Sequence, residues 1–272
     1  LAAYAELQER GELELRIYVA PMIDGWEDLG KLGLRHAFGS PWLRVGAVKA
    51  YADGSLGSST AYMFEPFADD PKNHGILGEG MIPLSKMRER MLGADRAGLQ
   101  LCVHAIGDHA ISDVLDLYEE VEKADGKRDR RWRIEHAQHV APKDFARFAQ
   151  LGVIASVQPY HAIDDGRWAE RRLGPERIKT TYAFRTFLDR GVRLALGTDW
   201  TVTNNGMDLL AEARLAALVG KMRADDPTAL PVRQMLRMLT IDGARVLGLD
   251  RLVGSIELAK RADLVLWNLN RL

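Results

Sequence analysis

The sequence is poor in cysteine, in net charge and in long apolar runs. Cys102 is its one cysteine, so no intrachain disulfide and no cysteine-built zinc cage can form. A reducing compartment fits this usage, and the cytoplasm is the expected location. The 37 basic and 38 acidic residues leave a net charge of −1. Neither sign dominates, so nucleic acid and anionic membrane surfaces are not the expected partners. No apolar run approaches the ~20 residues that span a bilayer, and the start does not read as a signal peptide. There is no internal repeat, no low-complexity tract and no Pro-, Gly- or Ser-rich linker. A small-molecule substrate is the partner class left.

What is there is 272 residues with 47% hydrophobic content, enough for one α/β domain of barrel size with a large core. Strand-like and helix-like patterns alternate. Leu13–Ala20, Trp42–Lys49, Leu101–Ile106, Trp132–His136, Val153–Gln158 and Arg193–Asp199 read as short, mostly apolar strands, with Ala262–Asn268 as a last one. Residues 82–98, 108–124, 142–151, 175–190, 207–221 and 232–247 carry helical spacing, with Gly98, Gly152 and Gly191 as stops. Such alternation predicts parallel βαβ units covered on both faces. Six strands precede the terminal helices, and a closed (β/α)8 barrel needs eight. Leu1–Arg10 reads as a helix already under way, without cap or initiator Met, so the two missing strands are expected upstream of Leu1. Open sheet edges would then be aggregation or swapping hazards, so the chain is expected to form a homo-oligomer, to be poorly soluble or to be completed by a further segment.

Four residues end four of these strands: Lys49, His104, His136 and Asp199. A lysine, two histidines and an aspartate, each after an apolar run and before a loop, suit metal-assisted hydrolysis at the C-terminal mouth of an α/β barrel. Each also has a plainer explanation. A lone histidine after a strand is more often a packed core residue. An aspartate there is commonly a helix N-cap. Lys49 is costly to desolvate and so rarely accidental. It can pair with Asp53, form a Schiff base, or take up carbon dioxide as a carbamate. His109 reads as a first-turn helical residue, His139 as outer or surface, and Glu135 as pointing away from the interior by strand alternation. Asp53–Ser59 (DGSLGSS) lacks the spacing of a phosphate-binding loop. Trp168, Trp200 and Tyr160 are candidates to line an apolar pocket.

The motifs KAYADGSLGS at 49–58, HAIGD at 104–108, IEHAQ at 134–138 and GTDW at 197–200, in this order, resemble the amidohydrolase superfamily, and most of all its YtcJ-like branch, which includes N-substituted formamide deformylases. The likeness runs from about Leu1 to the end, and GSIE at 254–257 with ADLV at 262–265 is similar to the return into that family's small β-sandwich. The resemblance implies a (β/α)8 TIM barrel of metal-dependent hydrolase type over residues 1–253, lacking about two N-terminal strands, and a 254–272 segment that begins the sandwich. It implies one or two divalent ions, usually zinc. Lys49 would be a carbamate bridging them, His104 and His136 would hold the second ion, and Asp199 would bind the first and act as the catalytic base. The family's His-x-His on the first strand is absent from this sequence. The implied reaction is hydrolysis of a non-peptide carbon–nitrogen bond, such as an N-substituted amide or formamide. Rival readings are a lyase using Lys49 as Schiff base and a non-catalytic metal-binding barrel fragment.

Overall fold

In the computed structural model, residues 1–204 and 206–266 are described. The chain divides into two compact units, Leu1–Val157 with Ile163–Arg193, and Gln158–Ala162 with Leu194–Leu272.

The first unit opens with α1 (Ala2–Glu9), β1 (Ile17–Val19), α2 (Trp26–Lys31), β2 (Phe38–Gly39) and β3 (Leu43–Val45). β3 lies between β1, to which it is parallel, and β2, to which it is antiparallel. β4 (Ala47–Tyr51), α3 (Leu84–Arg96), β5 (Gln100–Ala105), α4 (Asp108–Asp125), β6 (Arg133–His136), α5 (Phe145–Leu151) and β7 (Ile154–Val157) follow. β4, β5, β6 and β7 form a parallel sheet in that order.

The expected strand Trp42–Lys49 is therefore two strands in two sheets. Gly46 separates them at φ +125°, and a Cβ there would lie 2.0 Å from the Arg35 carbonyl oxygen. Only glycine lets the chain turn at this close approach. One consequence is that Lys49 sits inside β4 and not at a strand end.

α4 explains how the sheet is covered. Ala110, Ile111, Val114, Leu115, Tyr118 and Val121 fall on one helical stripe and are all buried. Tyr118 stacks on Trp132 with ring centroids 4.6 Å apart. Val48, Ala50, Leu101, Val103 and Ile134 supply the buried apolar face of the sheet. Phe145 and Phe148 of α5 meet Phe187 edge-on. Gly152 closes α5 in the left-handed conformation, as its sequence position suggests.

Two further stretches depart from the pattern. Residues 160–174, which carry no readable sequence periodicity, belong largely to α6 (Pro159–Asp165) and α7 (Ala169–Arg177). The helix expected over 175–190 is broken into the end of α7, a 3-10 turn (Ile178–Thr180) and α8 (Phe184–Asp189), with Tyr182 at φ +49° between them. Tyr182 is held there by its amide bond to the Gln138 carbonyl and its hydroxyl donating to Asp165.

The second unit contains β8 (Leu194–Leu196), α9 (Thr201–Asn204), α10 (Leu209–Ala224), α11 (Val232–Leu239) and α12 (Ile241–Leu247). Ala213, Ala216 and Met235 form its buried centre, with Leu196, Leu230 and Met238 against them. The single helix expected over 232–247 breaks at Thr240. Asp208 caps α10 by accepting the amides of Leu210 and Ala211. Residues 262–266 show no strand, and the rest of the expected strand Ala262–Asn268 lies outside the described residues. The sandwich segment thus has no strand among the described residues. Among the described residues, no helix is long and apolar enough to cross a membrane.

Candidate metal centre

In a parallel sheet, residues in register share a face. Lys49 is in register with Cys102, and Cys102 with Arg133; Tyr51 is in register with His104, and His104 with Glu135. These six side chains therefore stand on one face of β4–β6. The opposite face is the apolar one packed under the helices.

Glu135 stands on the polar face, contrary to the sequence expectation. Alternation would put His136 and Glu135 on opposite sides, yet His136 contacts His104, ring centroids 4.6 Å apart and edge to face. The backbone resolves this: His136 has φ +75° and Ala137 φ +45°, so the strand geometry ends at Glu135 and the imidazole swings back. Positive φ is uncommon for such residues and concentrates where a site over-determines the backbone.

Arg133 Nε donates to Glu135 Oε1 at 2.8 Å. Burial pushes the Glu135 carboxyl up, but Arg133, the Ser156 hydroxyl and Lys49 outweigh it and hold it below its ordinary range. Lys49 Nζ lies 4.9 Å from the Tyr51 ring centroid, and the Lys49 amide donates to the Pro21 carbonyl. Burial raises the Cys102 thiol to about 12, so it stays protonated and offers no thiolate.

His104 has a defined orientation. Its Nε2 lies 2.8 Å from the Gly54 carbonyl oxygen and 3.4 Å from Asp53 Oδ1. The Gly54 carbonyl can only accept, so Nε2 carries a proton, and in the neutral ring Nδ1 keeps its lone pair. A metal-binding histidine is held in this way, with its second nitrogen donating to a carbonyl or carboxylate. The chemistry of this donor set fits a divalent ion. Asp53 is committed to the amides of Tyr62, Ile106 and Gly107 as well as to His104.

Asp199 belongs to the second unit, three residues beyond β8, at φ +58°. Thr203 Oγ1 donates to its Oδ2 at 3.2 Å. The same oxygen lies 3.7 Å from His161 Nε2. His161 was not singled out by sequence reasoning. Its sequence signal was weak: it stands four residues beyond β7, inside α6, whereas Lys49, His104 and His136 lie within their strands. Glu212, buried in this unit, accepts the Tyr160 amide at 3.0 Å and the Asn204 side-chain amide, which braces both flanks of the His161–Asp199 pair.

His109 lies in the first turn of α4, sandwiched between Tyr62 and Phe64 with centroids 4.3 and 4.1 Å away. His139 is not at the surface: it is 3% exposed, and its Nδ1 lies 3.0 Å from Thr181 Oγ1. Burial first, then Arg177, lowers its pKa to about 3. Trp200 is exposed, and Trp168 packs against Leu56, Met63 and Leu173.

Comparison with known proteins gives the family. The amidohydrolase family profile matches residues 1–272. The chain is 42% identical over 236 residues to Protein LONG AFTER FAR-RED 3 of Arabidopsis thaliana, covering 85% of this chain and 40% of that protein. It is 29% identical over 272 residues to YtcJ of Bacillus subtilis (strain 168), covering 97% of this chain and 49% of that protein. The crystal structure of an uncharacterized metal-dependent hydrolase from Pyrococcus furiosus superposes with a TM-score of 0.80 at 31% identity, covering 96% of this chain and 52% of that one. The chain thus spans about half the length of the relatives it matches.

Proposed function

Since this chain belongs to the amidohydrolase family, we propose that it carries part of the site of a metal-dependent hydrolase acting on non-peptide carbon–nitrogen bonds, an N-substituted amide or formamide being the substrate class. The observation that carries the reading is the pair of imidazoles at the C-terminal ends of adjacent parallel strands, His104 and His136, 4.6 Å apart on the face that also bears Lys49. The parallel sheet is read as part of a (β/α)8 barrel.

In this proposal Lys49, His104, His136 and Asp199 are the ligands of one or two divalent ions, zinc by preference. His104 presents Nδ1, its ring held by the Nε2–H bond to Gly54. Lys49 takes up carbon dioxide, releases a proton and offers a carboxylate in place of an amine. When bound, the ion polarises the scissile carbonyl and activates water. Asp199 accepts the proton from the attacking water and delivers it to the leaving nitrogen. His161, beside Asp199 Oδ2, orients that carboxylate.

Elemental mass spectrometry on protein grown with zinc and bicarbonate tests the ligand set. About one equivalent per chain is expected, lost in Lys49→Ala. Metal retained in full by both Lys49→Ala and His104→Ala would overturn it. For catalysis, Asp199→Asn is expected to keep its metal and lose at least about 100-fold in turnover on an amide and formamide panel. An active Asp199→Asn variant removes Asp199 as base, and borohydride trapping of a carbonyl compound on Lys49 would favour a Schiff-base lyase instead.

A further inference from the structure

We propose that Asp53 is a positioning residue that sets the tautomer of His104 and so decides which ring nitrogen is offered to a metal ion; this rests on the metal-site reading above. The Asp53 side chain is fully buried, beside a histidine that is itself largely covered. A buried carboxylate persists only where donors converge on it. Here Oδ1 accepts from the Ile106 amide at 3.0 Å, while Oδ2 accepts from the Gly107 amide at 2.7 Å and the Tyr62 amide at 2.9 Å. Those amides come from two segments: the loop after β4, and the turn that leads β5 into α4. One carboxylate thus ties the exit of the Lys49 strand to the exit of the His104 strand.

The tie is tight. A Cβ on Gly107 would lie 2.0 Å from the Tyr62 carbonyl oxygen, and one on Gly54 would lie 1.9 Å from Thr60 Oγ1. The loop after β4 therefore closes directly over the β5 exit. It carries the Gly54 carbonyl to 2.8 Å from His104 Nε2, with Asp53 Oδ1 at 3.4 Å from the same nitrogen. The hydrogen bond to the Gly54 carbonyl calls for the Nε2–H form, the Asp53 carboxylate beside the same nitrogen favours that proton by its charge, and Nδ1 is left to ligate. Asparagine at 53 would preserve the volume. It would also set an NH2 group against amide or imidazole donors that need an acceptor, and it would remove the charge that favours a proton on Nε2. The loop that positions the Gly54 carbonyl loosens with it.

The ring nitrogens of His104 can be read directly by NMR on the chain labelled with 15N-histidine, assigned with a His104→Gln variant, and cobalt(II) affinity can be measured alongside. The expected result is a proton-bearing Nε2 and a bare Nδ1 in the unmutated chain. In Asp53→Asn we expect mixed tautomers and a cobalt(II) dissociation constant raised at least about tenfold. An Nδ1–H ring in the unmutated chain overturns the proposal, as does an Asp53→Asn variant that keeps the Nε2–H form. A shifted tautomer with unchanged cobalt(II) affinity overturns the link to ligation. If Asp53→Asn does not fold, Asp53→Glu, which keeps the charge but displaces the carboxylate, is read for the same mixing of tautomers: mixed tautomers uphold the proposal, and an unmixed Nε2–H ring overturns it. Absent cobalt(II) binding with the tautomer behaving as expected would sink the metal reading and leave Asp53 as the setter of the ring.

Discussion

At His136 one backbone angle decides where two charged or ligating groups go. With φ at +75°, the imidazole returns to the face of Glu135 and meets His104, while Glu135 keeps its register with His104 and pairs with Arg133. A neighbouring histidine, His139, carries a different consequence. Its folded pKa is lowered to about 3 by burial and by Arg177, against ~6.5 in the unfolded chain. The unfolded state therefore binds more protons below pH ~6.5, and stability falls on acidification. The contribution is complete above pH ~6.5, is lost progressively as pH falls toward ~3, and amounts to about 2 kcal/mol between pH 7 and pH 5. Urea denaturation at those two pH values is expected to show this slope, and His139→Gln to flatten it by that amount. An unchanged slope would mean that His139 does not stay neutral.

Among elements, β3 and β4 show why a continuous apolar run need not be one strand. Gly46 at φ +125° turns the chain from the sheet of β1 into the sheet of β5. An alanine there would have to adopt this backbone and also clear the Arg35 carbonyl oxygen, 2.0 Å from its Cβ. Gly46→Ala is expected to cost at least about 2 kcal/mol, read as a lowered denaturation midpoint. A cost within a few tenths of a kcal/mol would show that the turn is not strained. The same logic separates α11 from α12, where Thr240 leaves helical geometry inside a sequence whose spacing reads as one helix.

For the whole molecule, the family assignment and the half-length coverage of the relatives act together. On the proposed ligand set, an ion that binds is expected to stabilise the fold by mass action. Zinc at 100 times its dissociation constant should add about 2.7 kcal/mol. A thermal shift with zinc that disappears in His104→Ala and His136→Ala is the expected outcome. A shift of equal size in both variants would place the ion elsewhere.

By themselves, the residues determined the family and the alternation of strands and helices. Short, mostly apolar runs alternating with helical spacing made a parallel sheet legible, because strand burial is a local pattern. The stripe of α4 was legible for the same reason: its buried positions repeat with the helix. Tertiary structure decided what depends on distant groups. The break at Gly46 needs the Arg35 carbonyl, and the tautomer of His104 needs Asp53 and Gly54. The return of the His136 imidazole to the face of Glu135 needs a positive φ that the alternation of a strand does not announce. His161 became a neighbour of Asp199 only through a contact 38 residues apart in sequence. Periodicity records which face a side chain prefers, whereas a site is a meeting of faces that come from different parts of the chain.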